Sequence, residues 1–190
     1  MGKIVVTEFI SADGVIEDPG GAEDYEHGGW SFQIDRGDDG NQFKLDETMA
    51  TDALLLGRVT YEGFADAWPS REGEFADKFN NMPKFVVSTT LSNPEWNNST
   101  VVSGDVAAEV AELRDQFTGD IVVHGSAQLV NTLKDEDLVD EYRLMVFPVV
   151  LGKGKRLFTD SGDLTALQLA DIRQVGPAGV VILTYQRAPK

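Results

Sequence analysis

Short apolar runs rich in valine and isoleucine alternate along the chain with segments of helical spacing, and polar, glycine-bearing turns separate them. That alternation is the signature of a mostly parallel sheet with helices on its faces. Lys3 to Ile10 reads as the first strand, stopped by the turn Ser11-Ala12-Asp13-Gly14. A polar, glycine-rich stretch then runs to about Gly40, and such a length inside a compact domain marks a functional loop or disorder. Phe43, Leu45, Met49 and Ala50 recur at roughly helical spacing up to Asp52. Ala53 to Leu56 reads as a buried strand, and Tyr61 to Ala67 resumes a helical pattern before Trp68-Pro69.

The same succession of strand, small or polar residues, then helix returns twice. Lys84 to Val87 leads into Ser88-Thr89-Thr90, with a loop at the proline and asparagines of 93–98. After a helix around Val106 to Gln116, Asp120 to Val123 leads into His124-Gly125-Ser126-Ala127 and the periodic Leu129, Val130 and Leu133. Residues 138–151 form another strand region. Leu164 to Val175 and Val180 to Tyr185, joined by Gly176-Pro177-Ala178-Gly179, read as an antiparallel hairpin. The expectation is one α/β domain over residues 1–190, a mixed, mostly parallel sheet ending in that hairpin.

Composition supports a packed core, since 42% of the residues are apolar and 9% aromatic. Charge narrows the partners. With 32 acidic against 16 basic side chains and a net charge of -16, the chain repels phosphate backbones and anionic lipid heads, so no nucleic-acid or membrane partner is expected. Residues 1–83 carry 18 acids and 6 bases, residues 84–190 carry 14 and 10, which reads as a solvated acidic surface. The absence of cysteine removes a thiol nucleophile and thiolate zinc, and His27 and His124 lie too far apart to suggest a metal site. Met1-Gly2-Lys3 with Ile4-Val5-Val6 does not form a signal peptide, and the run Leu144 to Leu151 is broken by Pro148, so a cytoplasmic protein is expected.

Candidate chemistry concentrates at two strand-to-helix junctions. Ligands of open α/β sheets sit at the carboxyl ends of strands, where free amides at a helix start favour anions. Gly57-Arg58-Val59-Thr60 offers close backbone approach, a cation and a hydroxyl; Gly125-Ser126-Ala127 offers amides with little bulk. Together they would hold a dinucleotide pyrophosphate, with Ser88, Thr89 and Thr90 for a further phosphate. The alternative is that each glycine only turns the chain and Thr60 only supports a helix start. His124 is either a proton donor beside that pyrophosphate or a strand-end histidine bonded to backbone. The carboxylates Glu8 and Asp13 share the edge, with polar-surface and turn roles as their alternative. Lys153, Lys155 and Arg156 would bind a substrate phosphate or form a solvated turn. Trp30 and Phe32, aromatics within the long loop, would close over a flat ring or pack in the core.

The ordered series Ser11-Ala12-Asp13-Gly14-Val15-Ile16, Leu54-Leu55-Leu56-Gly57-Arg58-Val59-Thr60-Tyr61-Glu62 and Val122-Val123-His124-Gly125-Ser126-Ala127 resembles the dihydrofolate reductase fold. Leu138-Val139-Asp140-Glu141-Tyr142, followed by Pro148-Val149-Val150-Leu151-Gly152-Lys153-Gly154, is more similar to the C-terminal reductase domain of bifunctional riboflavin-biosynthesis deaminase-reductases. The resemblance implies a three-layer fold, an NADPH cofactor, hydride transfer to a small heterocyclic or phosphoribosylamino-pyrimidine substrate, and a homodimer; the alternatives are a reductase of dihydrofolate or another pterin, and an NADP-binding module without turnover. By the same resemblance Gly57, Arg58, Thr60, Gly125, Ser126 and Ala127 hold cofactor phosphates, Ser88 and Thr89 receive the 2'-phosphate, and Ile16 lines the nicotinamide.

Three departures concern the substrate, one being that the acidic pair and proline expected soon after the Gly-x-x-Thr motif are missing, with only Asp66 nearby. Dihydrofolate reductases carry an acid about sixteen positions before the Gly-Arg pair, and here that count lands near Asn41, with Asp38, Asp39 and Asp46 as neighbours. Riboflavin reductases usually present a glutamate where this chain has His124.

Overall fold

The valine-rich runs extend into strands because β-branched residues fit a pleated, doubly covered surface. In the computed structural model, which describes residues 1–159 and 164–188, these are β1 (Lys3–Ser11), β2 (Thr51–Gly57), β3 (Lys84–Val87), β4 (Ser99–Val102), β5 (Asp120–His124), β6 (Glu141–Phe147), β7 (Leu167–Val175) and β8 (Val180–Arg187). The helices are α1 (Gly37–Ala50), α2 (Arg58–Ala67), α3 (Glu74–Asn81), α4 (Val106–Gln116) and α5 (Ala127–Asp135), with a short 3-10 turn at Trp30–Gln33.

The strands make one sheet in the order β4-β3-β2-β5-β1-β6-β8-β7. β1 to β6 pair in parallel, and the β7–β8 hairpin joins antiparallel along β6. This is the mixed α/β sheet with a C-terminal hairpin that the sequence predicts. Alternation divides β1 between two cores. Ile4, Val6 and Ile10 pack with α4 and α5 side chains such as Val110, Leu129 and Val130, while Val5 packs on the other face with Tyr61 and Phe79. A third cluster, Trp30 with Met145, Phe147, Val175, Val180 and Ile182, closes the hairpin end. None of the helices among the described residues is long and apolar enough to cross a membrane.

Several elements differ from expectation for local reasons. The strand β4, four residues long at the sheet edge, and the helix α3 went unpredicted. α3 carries a short apolar stripe, Phe75, Ala76 and Phe79, whose partner Trp68 lies before a Pro-Ser turn. α1 begins at Gly37, several residues early, and its buried face is polar: Gly40, Lys44, Glu47 and Thr48 face the sheet, while Phe43, Leu45 and Met49 are only half-buried. A helix that buries charged side chains hides its orientation from hydrophobic periodicity.

Candidate active site

Parallel strands deliver their carboxyl ends, and the helix starts that follow them, to one edge of the sheet. Along that edge runs a cleft of about 610 Å³. Its lining follows the sheet order: Ser103 and Gly104 after β4, Ser88, Thr89 and Thr90 after β3, Gly57, Arg58 and Thr60 at the end of β2, Gly125, Ser126 and Ala127 after β5, and Ile16 and Glu17 in the loop after β1. All nine residues expected to bind a cofactor therefore lie on one surface.

The middle of the cleft is built by mutual bonding of two turns. Gly57 donates its amide to Ser126 Oγ at 2.9 Å, and the Ser126 amide and hydroxyl both reach Thr60 Oγ1 at 3.1 Å. Gly125 (φ 53°) and Ser126 (φ 54°) are both left-handed, which turns the chain sharply from β5 into α5. A side chain at Gly125 would begin 2.9 Å from Thr60 Oγ1, so only glycine lets the two turns meet. Neither α2 nor α5 has a side-chain cap, and the residues that begin them line the cleft. Arg58 adds the one guanidinium of the lining and pairs with Glu62 at 2.8 Å on the outer surface. Free helix-start amides, a backbone without bulk and one cation suit a pyrophosphate. The donor set therefore fits a dinucleotide.

The two ends of the cleft differ. At the β3 end, Ser88 Oγ accepts the amides of Thr90 and Leu91, so this hydroxyl holds its turn while those of Thr89 and Thr90 are exposed. At the β1 end, loop residues Glu17 and Glu23 meet Lys155. Lys153 pairs with Glu26 and Arg156 with Asp13. The basic cluster thus clasps the acidic loop, which accounts for its density without a substrate phosphate. Trp30 is buried edge-on against Phe147, with its Nε1 donating to the Glu17 carbonyl, so it anchors this loop from below; Phe32 is exposed.

The two residues expected to handle protons are placed otherwise. Asp13 accepts the Ser11 hydroxyl at 2.7 Å and the amides of Leu151 and Gly152, and the Ser11 bond above all lowers its carboxyl to about 2. It is an ionised clamp between the β1 loop and the 151–152 turn, not a proton donor near neutral pH. His124 lies edge-on to Phe64 and Phe79, and burial, then the Lys44 ammonium, push it down to about 3. At neutral pH it is an uncharged imidazole.

Beneath it lies a buried polar network that the sequence did not disclose. Lys44 bonds Thr7 at 2.9 Å and Glu47, Thr7 donates to Glu47 at 3.0 Å, and Arg143 joins Glu47 to Asp120 and Glu141. Burial alone would raise Glu47, but Lys44 outweighs it and holds the carboxyl below its ordinary value. Asn41, where an acid was sought, is exposed and accepts from Arg36 Nε. The i, i+3 spacing of Lys44 and Glu47 was the available signal, and it is also the spacing of an ordinary surface pair.

The sequence matches the RibD C-terminal domain family over residues 2–181. The chain belongs to that family. Two full-length relatives from Bacillus subtilis are the uncharacterized proteins YyaP, 28% identical with 96% of this chain and 94% of the relative covered, and YwjB, 30% identical with 98% of both covered. Among solved structures, a protein assigned to riboflavin biosynthesis from Shewanella sp. PV-4 superposes with a TM-score of 0.78 at 21% identity, covering 98% of this chain and 99% of that one. A pyrimidine reductase-like protein from Corynebacterium diphtheriae gives 0.63 at 13% identity, covering 99% and 92%. At those identities the two structures establish the RibD-type fold, and membership supports a reductase of that family.

Proposed function

We propose that the protein is an NADPH-dependent reductase that passes a hydride to a polarised carbon of a small heterocycle, with a phosphoribosylamino-pyrimidine as its nearest substrate candidate. One observation carries this reading: the cleft crosses the carboxyl ends of five parallel strands in sheet order and collects all nine predicted cofactor residues. The cofactor, when bound, supplies the hydride. The chain supplies position. The first amides of α5, from Ala127 on, and those starting α2 would hold the pyrophosphate, with the Arg58 guanidinium as counter-charge. Thr89 and Thr90, exposed beside Ser88, would take the 2'-phosphate. Ile16, buried at the β1 end, would offer the nicotinamide an apolar surface, and the clasped loop from Asp13 to Glu26 would keep water from it.

The alternative as a pterin reductase is less well supported, because Asn41 is turned to Arg36 and away from the sheet. A homodimer belongs to the same proposal. The outer strand β7 leaves Leu169 and Ile172 exposed at an unpaired edge, the kind of edge that proteins cover. Oxidation of NADPH tests the function, followed by absorbance with 5-amino-6-(5-phosphoribosylamino)uracil and, separately, with dihydrofolate. Turnover of the pyrimidine alone is expected, and turnover of dihydrofolate alone would replace the substrate assignment.

A further inference from the structure

The ladder between β1 and β5 ends at Thr7↔His124, whereas β1 continues beside β6 to Ser11↔Phe147. Past Thr7 the two central strands part, and the next residues are Glu8 on β1 and Gly125 in the cleft wall. Glu8 is 6% exposed. By the alternation of β1 its side chain lies on the face of Val6 and Ile10, the face shared with the cleft residues Ile16 and Leu129. The amide of Gly125 reaches its carboxyl group, and Oε1 is buried without a hydrogen-bond partner among the described residues. An orphaned oxygen of this kind costs stability, so it calls for a role. Lys44 and Glu47 of α1 are the charged groups acting on it, with opposite signs, while His124 and Arg143 pair with Thr7 on the other face of the sheet.

Resting on the reductase reading above, we propose that Glu8 is the acid of this active site, a carboxyl group supplied by β1 instead of helix α1, which protonates the substrate at the parting of β1 and β5. The Gly125 amide that reaches this carboxyl group belongs to the cleft wall. As the carbon of a C=N bond accepts the hydride from the reduced nicotinamide, its π electrons move to nitrogen, which takes the proton of Glu8. C–H and N–H bonds form, the nicotinamide is left oxidised, and the Glu8 carboxylate regains a proton from water after product leaves. The assignment matches the substrate class to a polarised C=N or, by the same balance, C=O. Burial, first of all, keeps the carboxyl protonated well above the ordinary carboxylate range, with Gly125 and Lys44 opposing it. This is the condition for a donor near neutral pH.

The decisive readout needs no substrate. Wild type and Glu8→Gln are titrated with NADPH and with NADP⁺ from pH 6 to 9.5, and the ratio of the two dissociation constants is followed. Both ligands carry the same phosphates, so their titrations cancel, whereas a carboxylate forming beside the ring favours the positively charged nicotinamide. The ratio is expected to shift about tenfold toward NADP⁺ with rising pH in wild type and to stay flat in Glu8→Gln. NADPH affinity at pH 7 stays within about twofold, since glutamine mimics the protonated acid. An infrared carbonyl band of a protonated carboxyl, present in wild type at pH 7, disappears in Glu8→Gln and persists in Glu8→Asp. Turnover with the pyrimidine falls about a hundredfold or more in Glu8→Gln. A flat wild-type ratio, absence of the band, or near-normal turnover of Glu8→Gln overturns the proposal and leaves the reductase reading standing. Failure of wild type to bind NADPH overturns that reading itself.

Discussion

The hydroxyl of Thr60 accepts the backbone amide of Ser126 at 3.1 Å, joining the start of α2 to the start of α5 across 66 residues of sequence. Neither helix start is held by a side-chain cap of its own. Bonded together, they present two sets of amides at a fixed spacing. Thr60→Val keeps the volume and removes the acceptor. It is expected to cost about 1 kcal/mol in urea unfolding and to weaken NADPH binding by a few-fold. Unchanged affinity would mean that the two turns act independently.

Gly125→Ala tests the closeness of that approach. The left-handed backbone at φ 53° and the 2.9 Å contact with Thr60 Oγ1 both oppose a methyl group. A loss of about 1–3 kcal/mol in stability is expected, with NADPH affinity down about tenfold or more, measured by thermal melting and fluorescence titration. The same change at Gly63, where nothing lies within 4 Å of the added carbon, should stabilise α2 slightly.

Cofactor preference is expected to reside at the β3 end. Arg58→Ala removes the cleft's guanidinium and should weaken NADPH and NADH alike, through the pyrophosphate. Thr89→Ala should weaken NADPH about tenfold or more and leave NADH unchanged, as one hydrogen bond to a charged group is worth about 1.5 kcal/mol or more. Ser88 is a poorer probe because its hydroxyl already holds the turn through Thr90 and Leu91.

The contrast between these positions and the proton-handling groups shows what a sequence displays. Gly57, Thr60 and Gly125 were legible because a strand end followed by glycine has few uses, and backbone amides need no particular side chain to bind an anion. The sheet body was legible for a similar reason, since a strand covered on both faces must be apolar throughout, as Leu54 to Leu56 and Ile121 to Val123 are. Lys44 and Glu47 were hidden by the converse, and Glu8, though placed at this edge by the sequence, gave no sign of its burial. What sets them apart is burial, and a charged residue gives no sign of burial in its own identity. The buried polar face of α1 misled the periodicity for that reason, and Asp13 and His124, conspicuous by position, turned out to be a loop clamp and a neutral ring.

His124 offers a pH test. Its folded value of about 3 lies below the roughly 6.5 of an exposed histidine, so the unfolded chain takes up the proton first. The stability tied to a neutral His124 is fully present above about pH 6.5 and is lost as pH falls from there toward 3. Relative to His124→Gln, wild type is expected to lose about 2 kcal/mol between pH 7 and pH 5, measured by urea unfolding. An equal loss in both proteins would show that His124 is protonated in the fold.

The central claim is that this edge of the sheet binds a reduced nicotinamide dinucleotide, and titration of the purified protein with NADPH, followed by nicotinamide fluorescence, tests it most directly. Saturable binding in the micromolar range that Gly125→Ala weakens is the predicted result; no binding at millimolar NADPH would contradict it.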